Sequence, residues 1–273
     1  MPATGRGSLL FIGNATTLIR YNGFNLLTDP NFLHRGQRAY LGYGLTTKRL
    51  TEPALRIDEL PPLDAVVLSH MHGDHWDRVT RKGLDRDTEI VTTRHAARRL
   101  GRQGFKRTTG LSIWQQHELR GPGGSVTITA LPARHAPGSA ETLLPPVMGS
   151  MLEFCDSEGL PDLRLLISGD TLMDRRLESI PIRFPDVDVA VVHLGGTKLL
   201  GLMTVTMDGE QGSRYVDLVD PTTVVPVHFD DYAAFASPLS DFKQHMLSCG
   251  LDDRVVYLER GQSLQLTGRR SSV

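Results

Sequence analysis

One stretch limits what this chain can fold into more than any other. Residues 65–69 (AVVLS) form an apolar, β-branched run with no polar face, and His70-Met71-His72-Gly73-Asp74-His75 follows without a break. A strand with no polar side must be covered on both faces, as parallel strands are in layered α/β folds. Residues 163–168 (LRLLIS), 187–192 (VDVAVV) and 223–227 (TVVPV) repeat the pattern. Residues 8–13, 16–21 and 25–28 read as three opening strands joined by turns at Gly13-Asn14 and Asn22-Gly23. Residues 90–93, 126–131, 150–154 and 255–258 are further strands.

Helical spacing of apolar positions occurs at 94–100, 208–219 and 240–248, with Ser240 placed to cap the last of these. Strands outnumber helices, and the helices fall between strands rather than at one end. The expected architecture is therefore α/β (α+β), two sheets packed together with helices on the outer faces. No repeat, linker or low-complexity segment interrupts the pattern, so residues 1–273 read as a single domain, with 268–273 as a loose tail.

Composition enters as exclusion. Thirty Lys and Arg against 31 Asp and Glu leave a net charge of -1, which gives no bulk attraction for nucleic acid or an anionic membrane. The basic residues between Arg94 and Arg107 read as a solvated helix face, so no nucleic-acid partner is expected. No apolar run approaches the roughly 18 residues that cross a bilayer. The first twenty residues lack the features of a signal peptide, and Cys155 and Cys249 stand in no metal or redox spacing. The expected compartment is the cytoplasm.

The histidines carry the chemistry. Three imidazoles and a carboxylate within six positions suit a site for borderline-soft divalent metals. His70 and His72 can reach one ion while Asp74 and His75 turn toward a second, with Gly73 allowing the sharp path between them. Further ligands are then required at later strand ends, and His135 (LPARHAPG), Asp170 (LLISGDT) and His228 (VPVHFDDY) each stand just beyond an apolar run.

The order H-x-H-x-D-H, then His, then Asp, then His resembles the metallo-β-lactamase superfamily over nearly the whole chain. The resemblance implies a four-layer αββα sandwich. It also implies that His70, His72 and His135 hold one metal, that Asp74, His75 and His228 hold another, and that Asp170 bridges them. Leu27-Thr28-Asp29-Pro30 resembles the L-T-D-P of the branch holding ascorbate-6-phosphate lactonase-like and N-acyl-phosphatidylethanolamine phospholipase D-like proteins. There Asp29 would stand behind the metals and orient a ligating imidazole. The chain departs from that branch at Asn14-Ala15, where a His-Ala pair is common, and at Thr206 to Gln211, where a His is common. His193, after VDVAVV, reads equally as a pocket residue and as a hydrogen-bonded core histidine.

The implied cofactors are two divalent metal ions, zinc first, with manganese or iron also accepted by these ligands. Such a pair lowers the pKa of a shared water toward 7, and the resulting hydroxide attacks while the metals polarise the substrate. Asp74 and Asp170 are the catalytic carboxylates of this reading, and the reaction is hydrolysis of a phosphodiester or related ester. Carbonyl hydrolysis of a lactone or amide on the same metals stays open. A redox di-iron protein ranks lower because His72 stands where redox relatives carry Glu, and a metal-binding protein without catalysis ranks lower because no ligand is missing. Residues 32–45, which include Arg35 and Arg38, and residues 199–207 are candidates to line the mouth around a small-molecule or lipid-like substrate. The same residues could instead form a contact between copies in a homo-oligomer.

Overall fold

A computed structural model describes residues 7–199 and 201–269. Two sheets dominate it. The first has seven strands in the order Ser263–Leu266, Gly7–Gly13, Thr16–Tyr21, Phe24–Thr28, Ala65–Leu68, Ile90–Thr93 and Thr108–Leu111. The second has six, in the order Thr223–Val227, Val189–His193, Pro161–Ile167, Gly149–Cys155, Gly124–Leu131 and Gln116–Gly121. Each sheet is antiparallel in one half and parallel in the other; the parallel strands precede the candidate ligands other than His135.

Side-chain alternation sets the layers, because successive residues of a strand point to opposite faces. Ala65 and Val67 join Val126, Ile128, Leu165, Val191 and Val225 in one cluster between the sheets. Val66 and Leu68 face outward against Ala96 and Leu100 of the helix Arg94–Arg102. Ala190, Val192 and Val224 face outward against Tyr215, Val216 and Phe242 from the helices Gly209–Val219 and Leu239–Cys249. The result is the expected order of helix, sheet, sheet, helix, and the runs without a polar face are the strands covered on both sides.

Several local expectations are corrected. Residues 255–258 form no strand. Val255 makes only an isolated bridge to Val224, while Val255 and Tyr257 pack on the outer helical layer. The helix expected from 240 starts at Leu239, because Pro238, extended at φ -70°, is the residue that ends the preceding chain; Ser240 lies in the first turn and caps nothing. The first turn falls on Asn14-Ala15 rather than Gly13-Asn14, with Asn14 left-handed at φ 54°. At the C-terminal side, Arg269 is held by Asp188 at 2.9 Å, so the expected tail is tied down there; residues 270–273 lie outside the described residues.

Two small hairpins went unforeseen: Arg38–Gly42 with Leu45–Lys48, and Lys198–Leu199 with Met203–Thr204. They belong to the segments expected at the mouth. Leu41, Leu199 and Val205 meet Ala136 and Leu144 in a separate apolar cluster. Among the described residues no helix is long and apolar enough to cross a membrane.

Candidate metal centre

Parallel strands of a layered sheet deliver their C-terminal ends to one edge, and here both sheets deliver them to the same place. Ala65–Leu68 ends in Ser69 and His70, Phe24–Thr28 in Asp29, Pro161–Ile167 in Ser168 to Asp170, Val189–His193 in His193, and Thr223–Val227 in His228. Gly124–Leu131, antiparallel to its neighbours, contributes His135 four residues beyond its end. The backbone is forced at this edge. Asp29 and His228 are left-handed, at φ 34° and 61°, a conformation that persists in non-glycine residues only where the surroundings impose it. Gly73 is needed for a different reason from the expected one: a Cβ there would lie 2.6 Å from the backbone nitrogen of Tyr40, so the strand Arg38–Gly42 requires its absence.

The candidate ligands separate into two groups. In the first, His70 Nε2 and His135 Nε2 each lie 3.0 Å from His72 Nδ1, so three ring nitrogens converge on one point. The second group comprises Asp74, His75, Asp170 and His228. Asp170 Oδ2 is 3.1 Å from His75 Nε2, 3.8 Å from His228 Nε2 and 3.9 Å from His70 Nε2, which puts this carboxylate between the groups. Asp74 Oδ2 lies 3.4 Å from His228 Nε2. All seven residues are buried, none more than 5 % exposed.

Neighbouring groups fix which nitrogen faces inward. A carbonyl oxygen only accepts, so His135 Nδ1–H donates to Val205 O at 3.0 Å and His228 Nδ1–H donates to Leu194 O at 3.1 Å. Each turns its Nε2 toward the centre. Ser69 Oγ lies 2.9 Å from His70 Nδ1 and serves that ring in the same way.

The electrostatics differ between the groups. Burial, reinforced by neighbouring imidazoles, holds His70 well below the ordinary histidine range and His72 at about 3. Burial likewise lowers His135. Three neutral rings thus aim lone pairs at one another. In the second group burial also presses down on His75, but Asp170, Asp74 and Asp29 outweigh it and carry that ring well above its usual value. Asp170 sits far below the carboxylate range: burial pushes it up, and His228 and His75 more than reverse that. Protons on buried imidazoles here balance buried carboxylates.

These observations test whether divalent metal ions suit the residues present, and the residues fit. Asp74 Oδ1 and Asp170 Oδ1 are buried without a hydrogen-bond partner, which a protein tolerates poorly unless something else is meant to satisfy the cluster. The donor set of imidazole and carboxylate suits zinc, manganese and iron alike.

The other expected site residues fall as follows. Asp29 stands behind His75, with its Oδ2 3.1 Å from His75 Nδ1 and its Oδ1 accepting from Ser69 N at 2.7 Å. His193 is fully buried, 3.4 Å from Asp29, and does not line an open pocket. Arg35 and Arg38 are exposed on the outer side, where the Arg35 backbone bonds Glu52 and the Arg38 side chain bonds Thr46. Sequence reasoning missed Asn14, which takes the chain past the centre: its side chain donates to Asp74 O at 2.7 Å and its carbonyl accepts from His228 N at 3.0 Å. It also missed the carbonyls of Val205 and Leu194, for which residue type carries no signal.

Comparison with known proteins agrees with this geometry. Residues 25–229 match the family model of the β-lactamase superfamily domain. A UPF0173 metal-dependent hydrolase of Methanopyrus kandleri is 24% identical over 259 residues, covering 94% of this chain and 99% of its own. A crystal structure of a possible metal-dependent hydrolase from Veillonella parvula superposes with a TM-score of 0.80 at 21% identity, over 96% of this chain and 100% of that one. An isothiocyanate hydrolase from Delia radicum gut bacteria superposes with a TM-score of 0.78 at 21% identity, over 95% and 99%. With the family model matched across both sheets and through every candidate ligand, the chain belongs to the β-lactamase superfamily domain family, as a hydrolase of the metallo-β-lactamase fold.

Proposed function

We propose that this hydrolase holds two divalent metal ions and cleaves an ester bond, a phosphodiester or a related ester. His70, His72 and His135 would hold one ion, Asp74, His75 and His228 the other, with Asp170 shared. The observation that carries this reading is the place of Asp170, whose Oδ2 lies within 3.9 Å of ring nitrogens from both groups. Zinc is the first candidate. We read residues 1–273 as a single hydrolase domain, because strands of both sheets close one shared core cluster.

A bound metal pair would supply Lewis acidity and an acidified water. The chain's own residues do the rest. The carbonyls of Val205 and Leu194 lock His135 and His228 in the tautomer that leaves Nε2 free. Burial of all seven residues keeps bulk water from screening the charges at the centre. Asp74 Oδ1, buried and without a partner, would accept a proton from the attacking water, while Asp74 Oδ2 stays with His228.

A second reading, attack at a carbonyl or similar carbon, is favoured by the walls of the site. Arg134, next to His135, is already neutralised by Asp174 at 2.6 Å and Glu141 at 3.8 Å, so no free guanidinium awaits a phosphate there. The cluster of Leu41, Ala136, Leu144, Leu199 and Val205 beside it is apolar. The isothiocyanate hydrolase of the same fold acts, by its name, on a neutral carbon electrophile.

The test measures bound metal per chain together with initial rates on an aryl phosphodiester and a simple lactone, each with a chelated control. Two metals and chelator-sensitive turnover of the diester support the first reading, and turnover of the lactone alone selects the second. Fewer than two metals at saturation overturns the shared-carboxylate site.

A further inference from the structure

Behind the second ligand group lies a chain of polar side chains that the hydrolytic reading does not use. His193 is fully buried at the end of Val189–His193, and its Nε2 lies 3.4 Å from Asp29 Oδ2, the oxygen that also faces His75 Nδ1. Its other nitrogen lies 3.2 Å from Ser168 Oγ, and its backbone N–H donates to the same oxygen at 2.9 Å. Ser168 is two residues from Asp170. The imidazole also stacks on His75, with ring centroids 6.0 Å apart and planes 14° apart.

Hydrogen counting gives this chain a direction. A carboxylate only accepts, so the two nitrogens facing Asp29 Oδ2, His75 Nδ1 and His193 Nε2, both carry hydrogen. The Nδ1 of His193 faces the Ser168 hydroxyl at 3.2 Å, and that hydroxyl also bonds the Gly169 carbonyl at 3.0 Å. The result is a connected run from Ser168 through His193 and Asp29 to His75, whose Nε2 faces the centre 3.1 Å from Asp170 Oδ2. The next residue, Leu194, gives its carbonyl to His228 Nδ1 at 3.1 Å. The end of one strand therefore reaches both histidines of the second group. Among the described residues, no hydrogen bond or ring contact joins His193 to His70, His72 or His135.

We propose that His193, with Ser168 behind it, is a positioning residue for the second metal alone: through Asp29 it holds His75, and it fixes the strand end that orients His228. The proposal rests on the dinuclear reading above and adds a selectivity to it. Partners of this kind raise the basicity of a ligating ring and fix its orientation, and their loss commonly costs about 10–100-fold in metal affinity.

The experiment is a competition titration of apo protein with zinc against a chromophoric chelator, resolving the two stepwise dissociation constants, with the visible spectrum of the cobalt-substituted protein as a second readout. In His193→Gln the weaker constant rises about 10–100-fold while the tighter one is unchanged, and the cobalt bands that grow in during the second step shift. Ser168→Ala gives a smaller change of the same selectivity. Equal loss at both steps, or no loss at either, overturns the proposal while leaving the two-metal reading intact. A wild-type titration that saturates below two ions overturns the reading itself. Should His193→Gln fail to fold, Ser168→Ala decides by the same criterion.

Discussion

Two buried polar clusters lie side by side in this fold, and they are built on opposite principles. The ligand cluster leaves His72 Nε2, Asp74 Oδ1 and Asp170 Oδ1 without hydrogen-bond partners. The cluster beside it is closed on itself except at Asn14 Oδ1. Arg49, with no exposed surface, donates to Asn31 O at 3.0 Å, to Thr51 O at 3.2 Å and to Asp231 Oδ1 at 3.4 Å. Asp231 Oδ2 accepts from Asn14 N at 2.8 Å, and Tyr232 Oη donates to Asn31 Oδ1 at 2.7 Å. Asp77 takes the backbone N–H groups of Phe32, Leu33 and Thr80. Side chains of Asn14 and Asn31 reach from this network to the carbonyls of Asp74 and Gly73, so the satisfied cluster grips the backbone that carries the unsatisfied one. A buried polar group that finds its partners within the protein is scaffold. The Asp74 and Asp170 oxygens left open among facing imidazoles are shaped for a ligand.

That contrast is broken most severely by removing the shared carboxylate. Asp170→Asn keeps the shape and takes away the charge that both ligand groups face. Charge stabilisation by metals amounts to several kcal/mol, and about 4 kcal/mol corresponds to roughly a 1,000-fold fall in initial rate. The thermal midpoint of the chelated protein falls, because the charge that balances the protons on His75 and His228 is gone. A variant retaining more than a tenth of the wild-type rate would remove Asp170 from the reaction. His72→Ala is expected to behave alike.

The mirror experiment acts on the scaffold. Arg49→Met leaves Asp231 with Arg260 as its remaining cation, at 3.1 Å, and strips the backbone carbonyls of Asn31 and Thr51 of their Arg49 donor. Removing one partner of a buried pair costs about 3–5 kcal/mol, with Arg260 holding the loss near the lower end. Denaturant unfolding measures it. The loss is expected equally in loaded and chelated protein, which separates it from any effect on metal binding; a midpoint within experimental error of wild type would show that the network is dispensable.

Chelation itself comes next in size. Ligands that bind only the folded state add stability, about 2.7 kcal/mol at a hundredfold excess over the dissociation constant. Stripping metal from wild type therefore lowers the thermal midpoint, whereas in Asp170→Asn the difference between loaded and chelated protein shrinks. An unchanged midpoint on stripping wild type would mean that the open cluster is not completed by metal.

The two clusters also differ in how far they could be read in advance. Each metal-centre residue announces itself locally: an apolar run ends, and a His or Asp stands within a few positions of it, as in LLISGDT and VPVHFDDY. The layered fold was readable for the same reason, since alternation along each strand is a local property. The scaffold has no such signature. Arg49 and Asp231 stand 182 positions apart, and neither lies in a pattern that marks it as buried. The hairpin Arg38–Gly42 with Leu45–Lys48 was illegible too, because Gly- and Tyr-rich loops and short strands share a composition and only the contact with Gly73 decides. His193 was undecided on sequence for a related cause: a strand-end histidine looks the same whether it lines a pocket or backs a ligand.

The smallest effect, and the one that separates the clusters most finely, is on pH. Metal ligands must be deprotonated to bind, so the stability gap between loaded and chelated protein closes as protons compete for the imidazoles, starting below the ordinary histidine value of about 6.5. The scaffold responds later. Burial raises the Asp231 carboxyl, but Arg260 and Arg49 outweigh burial and hold it below its usual value in the folded state. Its contribution is then fully present above the unfolded value of about 3.9 and is lost as pH falls through the folded one. Asp174 acts with the same sign: burial pushes up, the Arg176 and Arg134 contacts prevail, and the group sits at about 2. The thermal midpoint of chelated wild type is therefore expected to fall from about pH 6.5 downward, as the unfolded chain protonates the histidines that burial holds low, and to drop further below about 4 as the carboxylates are protonated. Asp231→Asn lowers that midpoint at pH 6 but not near pH 2, where wild type has lost the same charge. If the metal-dependent gap and the acid slope moved together in this variant, the clusters would be one electrostatic unit rather than a scaffold and the site it carries.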